Sequence, residues 1–93
     1  MAQEARLSAK ATIGNKRGLH ARAAAKLVEA AARFKAEITV AKDGQCVSAR
    51  SILGLLLLVA PLDSEVEITA CGEDAKAALT AILALIEARF GEE

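Results

Sequence analysis

The change of apolar period along the chain is the sequence feature that most constrains its fold. Alternation of apolar and polar residues predicts strands, whereas an apolar residue every three or four positions predicts helices. The predicted segments are, in order, a strand at 7–13, a helix at 21–34, strands at 36–40 and 46–48, a helix at 52–59, a strand at 66–71 and a helix opened by 72–74. The order βαββαβα, with one hairpin and helical crossovers, predicts an α+β open-faced β-sandwich: a four-stranded, mostly antiparallel sheet with three helices on one face.

Turn and cap residues support this division of the chain. Asp43-Gly44 is a strong hairpin signal between the two adjacent strands. The leucine-rich run after Ser51 fits a strand by composition, but Ser51 as N-cap and Pro61 as a stop favour a short helix. Phe90 extends the apolar stripe of the last helix, which Gly91 is predicted to end.

Length, charge and cysteine spacing narrow the function classes. The 93 residues suffice for a single domain, 1–93, with a modest core. The 12 basic and 12 acidic residues are interspersed, so we expect no nucleic-acid partner, and the longest apolar run is too short for membrane insertion. Cys46 and Cys71 lack metal-ligand spacing and are expected to be free and buried or half-buried. We therefore expect a cytoplasmic monomer without a metal or cofactor.

The segment Gly18-Leu19-His20-Ala21-Arg22 contains the only histidine and lies where a strand pattern gives way to a helical one. A helix N-terminus presents unpaired N–H groups and the positive end of the helix dipole, so it attracts anions. The dipole and Arg22 both disfavour a charged imidazole, which favours the nucleophilic form of His20. We predict phosphoryl chemistry at His20, with Ala21 and Arg22 binding the phosphate.

Groups that would complete an enzyme are missing near His20 in the sequence. No carboxylate stands nearby to pair with the imidazole, so His20 is expected to lack such a partner. The chain also has no glycine-rich phosphate loop and no acid pair for Mg²⁺ near the histidine. These features favour a phosphoryl carrier over a stand-alone turnover enzyme. A small hydrolase acting on acyl phosphates is disfavoured because no asparagine or acid is evidently placed to position water.

The histidine segment, followed by Ala24, resembles the active-site signature of the HPr family, the histidine-containing phosphocarriers of the phosphoenolpyruvate-dependent phosphotransferase system. Ser51-Ile52-Leu53-Gly54 resembles the family's second signature, its regulatory-serine region. The resemblance implies that His20 accepts a phosphoryl group on Nδ1 from phospho-enzyme I and passes it to a histidine of an enzyme IIA. It further implies that Arg22 stabilises the phosphohistidine and that Ser51 is the serine modified by an HPr kinase/phosphorylase.

A docking surface is a further implication of the resemblance. A two-turn helix after Ser51 cannot bury every leucine, so some leucines are expected to face solvent beside His20. The residues implied in contacts with enzyme I and the enzyme IIA are Arg17, Lys26, Ile52, Leu53, Leu56 and Leu57. Without the resemblance, Arg17, Lys26 and Arg50 are interpreted as ordinary charged side chains in solvent.

One departure from the family pattern concerns Ala23, where the family commonly has proline. Alanine restores an N–H and keeps helix propensity, so a small loss of rigidity with retained activity is expected. The alanine-rich motif resembles the nitrogen-related branch of the family, or HPr-like proteins of proteobacteria without a full sugar-uptake system. Both a sugar and a nitrogen-related role stay open. The alternative is a regulatory binding protein of the same fold that signals through phosphorylation at His20 or Ser51 without sugar uptake.

Overall fold

The computed structural model describes residues 5–92 of the chain. Its elements are, in chain order, β1 (Ala5–Thr12), α1 (Ala21–Ala31), β2 (Glu37–Lys42), β3 (Gln45–Ser48), α2 (Ile52–Leu57), β4 (Glu65–Gly72), α3 (Ala75–Glu87) and a 3₁₀ turn (Arg89–Gly91). The strands form one sheet in the order β1-β4-β2-β3, and each neighbouring pair is antiparallel. The predicted α+β open-faced sandwich with the order βαββαβα is confirmed.

The sheet turns one apolar face toward the helices. Along β4, Val66, Ile68 and Ala70 are buried, whereas the residue before each of them is exposed or half-buried. In β2, Ile38 pairs with Ala70 and Val40 pairs with Ile68, so that buried side chains lie next to one another across the strands. This strict alternation explains why the strands were recognisable from the sequence.

Small side chains let the helices lie close to this face. The buried positions of α1 and α3 are Ala23, Ala24, Leu27, Ala31, Ala75, Ala78, Ile82 and Ile86. Only Leu55 is buried within α2, which is short and lies at the edge of the core. No helix within residues 5–92 combines the length and the apolar character needed to cross a membrane.

The chain beyond α3 differs from the prediction. The last helix ends at Glu87, and Phe90 belongs to the separate Arg89–Gly91 turn instead of the helical stripe. Arg89, Phe90 and Gly91 have φ values of +56°, +55° and +75°, which lie in the left-handed region and are incompatible with a continuing α-helix. Phe90 is nevertheless fully buried, so its ring reaches the core from the turn.

Arg50 is exposed, as expected of a solvated charge, but it is also a structural anchor. Its guanidinium Nη2 donates to the carbonyl oxygens of Ala31 at 3.2 Å, Phe34 at 2.5 Å and Ala36 at 3.3 Å. These carbonyls belong to the end of α1 and the connection to β2, where helical partners run out. A cation at this end of a helix is also favoured by the helix dipole.

Asp74 fixes the same connection from the other side. Its carboxylate accepts hydrogen bonds from the Lys35 N–H at 2.9 Å and the Ala36 N–H at 2.8 Å. The bond from Lys35 lowers the pKa of Asp74 below its usual value, and the Ala36 bond adds to this effect although burial opposes it. The charged form of Asp74 is therefore the form that the fold stabilises.

Both cysteines are free, as the sequence predicted. Cys71 is half-buried, which also agrees with the prediction. Cys46 is exposed instead of buried, because it lies on β3, an edge strand on which no residue is fully buried.

Candidate functional site

The loop between β1 and α1 requires glycine at position 18. Gly18 has a φ of +67°, and a Cβ atom there would lie 2.6 Å from the Ala60 oxygen and 2.7 Å from Pro61 Cα. The neighbouring Leu19 N–H donates to the same Ala60 oxygen at 2.9 Å. The loop therefore packs directly on the connection after α2, and this contact holds His20 beside α2.

His20 is the N-cap residue of α1, at the helix start that the sequence predicted. Its backbone is extended, with φ −83° and ψ −179°, and its carbonyl accepts the first helical bond from the Ala24 N–H at 2.8 Å. The imidazole Nδ1 accepts from the Arg22 N–H at 3.3 Å. Nδ1 thus presents its lone pair to the helix N-terminus, where an anion is also stabilised.

A carboxylate from a distant part of the chain contacts the other ring nitrogen. Glu92 Oε2 lies 2.5 Å from His20 Nε2, and Glu92 Oε1 accepts from Asn15 Nδ2 at 3.0 Å. Asn15 is fully buried and also donates to the Gly18 carbonyl at 2.7 Å. The expectation that His20 lacks a carboxylate partner is therefore wrong. Glu92 is 72 residues away in sequence, so no local pattern indicates the contact.

The surroundings of Glu92 favour its charged form. Burial raises the pKa of Glu92, but hydrogen bonds from Asn15 and His20, together with the nearby positive charge of Lys26, bring it below its usual value. Lys26 is half-buried, and its Nζ donates to the Phe90 carbonyl at 2.6 Å. Lys26 is therefore not an ordinary solvated charge, because it holds the backbone two residues before Glu92.

An apolar patch lies on α2 and the segment after it, and it reaches His20 through Leu56 and Val59. Its members and exposed fractions are Ile52 42%, Leu53 67%, Leu56 37%, Leu57 65%, Val59 69% and Leu62 43%. Leu56, Val59, His20 and the exposed Arg17 line one surface depression. The predicted exposure of leucines beside the histidine is thus present. The helix ends at Leu57 instead of the predicted residue 59, so Val59 follows it, and Leu62 lies beyond both limits. Neither residue was included in the predicted docking surface.

Ser51 is the N-cap of α2, as predicted. Its Oγ accepts from the Gly54 N–H at 2.9 Å. A Cβ at Gly54 would lie 3.1 Å from that oxygen and 3.2 Å from Val47 Cβ, so glycine lets the cap close tightly against β3. Ser51 is half-buried in this arrangement.

The remaining predicted site residues, Ala21 and Arg22, are both exposed in the first turn of α1. Within residues 5–92, no three histidine, cysteine or acidic side chains are grouped so as to hold a metal ion. The groups gathered at His20 are therefore nitrogen donors, one carboxylate and an apolar patch. Such a set suits the binding of an anion and the docking of another protein.

Comparison with known proteins assigns the chain to a family. The model for the PTS HPr component phosphorylation site matches residues 7–88. The chain belongs to the HPr family. Its HPr-family relatives include phosphocarrier protein NPr of Shewanella violacea, 47% identical over 87 residues, which are 94% of this chain and 96% of that protein. Phosphocarrier protein HPr of Cupriavidus necator is 46% identical over 81 residues, which are 87% and 91% of the two chains.

The fold of this HPr-family chain matches that of a solved relative. The crystal structure of HPr-C-His from Thermoanaerobacter tengcongensis superposes with a TM-score of 0.90 at 41% identity, covering 94% of this chain and 98% of that one. The family is that of the phosphocarriers of the phosphotransferase system, so the resemblance drawn from the two motifs is confirmed.

The structure of the site gives a different reason for disfavouring a hydrolase. From the sequence, no asparagine or acid is evidently placed to position water, but in the structure Glu92 contacts His20 and Asn15 contacts Glu92. Asn15 is fully buried, however, and its amide donates to Gly18 and to Glu92. Its Oδ1 has no hydrogen-bond partner among the described residues, but this oxygen is buried away from solvent. Asn15 is therefore poorly placed to position a water molecule, and the hydrolase stays disfavoured on different grounds.

Proposed function

We propose that this HPr-family chain carries phosphoryl groups as a single-domain cytoplasmic monomer. In the proposal, His20 Nδ1 accepts the group from phospho-enzyme I and donates it to a histidine of an enzyme IIA. The observation that carries the proposal is the orientation of the ring: Nδ1 accepts from the Arg22 N–H at the start of α1. The family match supports the phosphotransferase setting.

The start of α1 provides the stabilisation that a phosphohistidine needs. A phosphoryl group on Nδ1 carries up to two negative charges. Phosphorylated Nδ1 no longer accepts from the Arg22 N–H, so that group and the Ala21 N–H become available as donors to the phosphoryl oxygens. Each favourable interaction with the helix dipole is worth roughly 0.3–1 kcal/mol at an exposed site. The Arg22 guanidinium adds an exposed positive charge. Because these groups are exposed, the phosphoryl group stays accessible to the next acceptor.

The apolar patch is the proposed docking surface for enzyme I and the enzyme IIA, with Arg17 and Lys26 at its rim. Leu53 and Leu57 are its most exposed leucines, at 67% and 65%. Apolar side chains at the centre of a contact and cations at its rim are the arrangement typical of protein interfaces. A carrier must leave each partner quickly, and a patch contributed mainly by one two-turn helix fits a small, transient contact.

Ser51 is the proposed site of regulatory phosphorylation by an HPr kinase/phosphorylase. A phosphate at an N-cap is favoured by the helix dipole, so modification is compatible with the fold of α2. The added charge would stand next to Ile52 and Leu53 of the docking surface. Desolvating that charge on docking is costly, so phosphorylation weakens transfer through His20.

Labelling with radioactive phosphoenolpyruvate and enzyme I tests the carrier function. The protein is expected to gain one acid-labile phosphate, and His20→Ala is expected to abolish it while Ser51→Ala keeps it. A label that persists in His20→Ala would contradict the proposal. Continuous phosphate release from acetyl phosphate would instead support a hydrolase.

Two further measurements separate the finer alternatives. Transfer from the labelled protein to a sugar-type or to a nitrogen-type enzyme IIA assigns the branch, which the nearly equal identities to an NPr and an HPr do not. For regulation, ATP and the cognate kinase are expected to modify the wild type and leave Ser51→Ala unmodified. Modification of Ser51→Ala to the same extent would refute the assignment of that serine.

A further inference from the structure

We propose that Glu92 is a positioning residue for phosphoryl transfer through His20. By accepting a hydrogen bond from Nε2 it orients the imidazole, keeps the proton on Nε2 and balances the charge that the ring gains when Nδ1 is phosphorylated. The inference rests on the proposed carrier function and adds to it a residue that acts through the histidine.

The contacts of the ring define its tautomer. Nδ1 accepts from the Arg22 N–H, so in the neutral ring the proton lies on Nε2, which then donates to Glu92. A carboxylate that fixes the tautomer and plane of a reactive imidazole is a general device for preparing a nucleophile. The side chains of His20 and Glu92 are only 17% and 16% exposed, so water competes little for this bond.

Glu92 reaches His20 because the chain leaves α3 through an unfavourable backbone conformation. Arg89 and Phe90 adopt left-handed φ values of +56° and +55°, which cost free energy for residues with side chains. Burial of the Phe90 ring and the 2.6 Å bond from Lys26 Nζ to the Phe90 carbonyl hold the turn in place. Unfavourable backbone of this kind persists where surrounding contacts determine it, and it is concentrated at functional sites.

No proton moves during the phosphoryl transfer, and each bond that forms is matched by one that breaks. The Nδ1 lone pair attacks the phosphorus of the donor's phosphohistidine, the donor N–P bond breaks, and its electron pair returns to the donor nitrogen. His20 then carries phosphorus on Nδ1 and a proton on Nε2, so the ring has a positive charge. Glu92, whose pKa is below its usual value, is charged and offsets it. In the onward step the Nδ1–P bond breaks and its electron pair returns to Nδ1.

The other charged groups around His20 are positive. Arg17 in the preceding loop lines one surface depression with His20, Leu56 and Val59. Lys26 on α1 lies close enough to Glu92 to help lower its pKa, and Arg22 is exposed two residues after His20. Glu92 is therefore the one negative group among the described residues that contacts the imidazole. It follows that its removal leaves the Nε2–H of the phosphorylated ring without a carboxylate partner among the described residues, although the phosphoryl group keeps its own negative charge on the Nδ1 side.

The test compares Glu92→Gln, Glu92→Ala and Glu92→Asp with the wild type, and Glu87→Gln serves as a control for loss of an exposed acidic charge at the end of α3. Transfer from phospho-enzyme I is expected to slow roughly tenfold to a hundredfold in the first two variants, in kcat with little change in KM, because the docking surface is intact. Glu92→Asp is expected to recover part of the rate, and Glu87→Gln to match the wild type. Thermal unfolding followed by circular dichroism confirms that each variant is folded.

The pH dependence of phosphohistidine hydrolysis separates positioning from a structural role. Hydrolysis is fast when Nε2 is protonated, because neutral imidazole is then the leaving group. At acidic pH the phosphorylated wild type and Glu92→Gln are expected to hydrolyse at similar rates. At mildly alkaline pH the variant is expected to hydrolyse several-fold more slowly, because Nε2 loses its proton more readily without the carboxylate. A merely loosened site would hydrolyse faster.

Two results would overturn the inference: a Glu92→Gln transfer rate within twofold of the wild type, or hydrolysis in that variant that is faster at every pH. Failure of the carrier function itself has a different signature. In that case the wild type takes no label from phosphoenolpyruvate and enzyme I, whereas failure of the Glu92 inference leaves normal labelling in the wild type and in the Glu92 variants alike.

Discussion

Replacing Gly18 with alanine is expected to destabilise the protein through two separate costs. The first is the φ of +67°, where a residue with a Cβ pays about 1–2 kcal/mol. The second is steric, since the new Cβ would lie 2.6 Å from the Ala60 oxygen and 2.7 Å from Pro61 Cα. Both are backbone atoms, so no side-chain rotation relieves the overlap, and insertion of a methyl group into such a site costs about 1–3 kcal/mol.

Gly44 provides a matched control for the first cost. It also has a left-handed φ, +84°, but a Cβ there would meet nothing within 4 Å. Gly44→Ala is therefore expected to lower the free energy of unfolding by about 1–2 kcal/mol and Gly18→Ala by roughly 2–5 kcal/mol. The difference between the two variants measures the close approach of the histidine loop to the connection after α2.

Urea denaturation followed by far-ultraviolet circular dichroism is the suitable assay, because the chain has no tryptophan or tyrosine for fluorescence. The midpoint is expected to fall with an unchanged m-value, as for a change in native-state stability alone. Measurements at independent sites usually scatter by about 0.5 kcal/mol. If the free energies of unfolding lost in Gly18→Ala and Gly44→Ala agree within that margin, the steric reasoning is refuted.

Three further predictions follow from single contacts. Arg50→Met removes the bonds to three backbone carbonyls and is expected to lower the free energy of unfolding by about 1–3 kcal/mol in urea denaturation, with Arg50→Lys recovering only part of the loss. Since the folded-state pKa of Asp74 is lowered, its stabilisation is present above the unfolded pKa and is lost as pH falls through the folded pKa. The thermal midpoint of Asp74→Asn should accordingly lie below that of the wild type at neutral pH, and the gap should close in acid; a gap that is constant with pH would contradict this. Leu53→Ser and Leu57→Ser should change stability by less than about 0.5 kcal/mol because both side chains are exposed, yet raise the KM of phosphoryl acceptance from enzyme I several-fold. An unchanged KM would argue against the docking surface.

The parts of the fold that the sequence predicted are those set by local patterns. Alternation located the strands, and Ser51 and Pro61 decided between helix and strand for a leucine run that composition left ambiguous. The end of α3 was placed wrongly because the apolar spacing of Phe90 continues the helical stripe. Its left-handed backbone follows from burial of the ring against distant elements, and no residue pattern before Gly91 signals that.

In the candidate site, too, the residues set by local patterns were predictable and those brought in by long-range contacts were not. The position of His20 at a helix start was predictable, because a strand pattern gives way there to a helical pattern with an arginine two residues on. Glu92 and Asn15 were not, because their contacts with the site form only when the turn after α3 folds back on the loop before α1. The sequence contains no signal for Asn15, because asparagine is common in exposed turns and its burial is evident only from the structure.

The exposure of Arg22 bears on how the proposed carrier works in both directions. A carrier must bind the phosphoryl group well enough to accept it and loosely enough to release it, so strong stabilisation of phosphohistidine would slow the second step. Opposite unit charges 4 Å apart attract by about 1 kcal/mol in bulk water and about 4 kcal/mol near a protein surface of intermediate polarity. Arg22 is exposed, which places its attraction for the phosphate toward the smaller value. Glu92 is mostly covered, and its charge acts on the ring instead of the phosphate. The site thus combines a weak attraction between Arg22 and the phosphoryl group with a well-fixed imidazole, hydrogen-bonded to Glu92. Reversible transfer requires this combination.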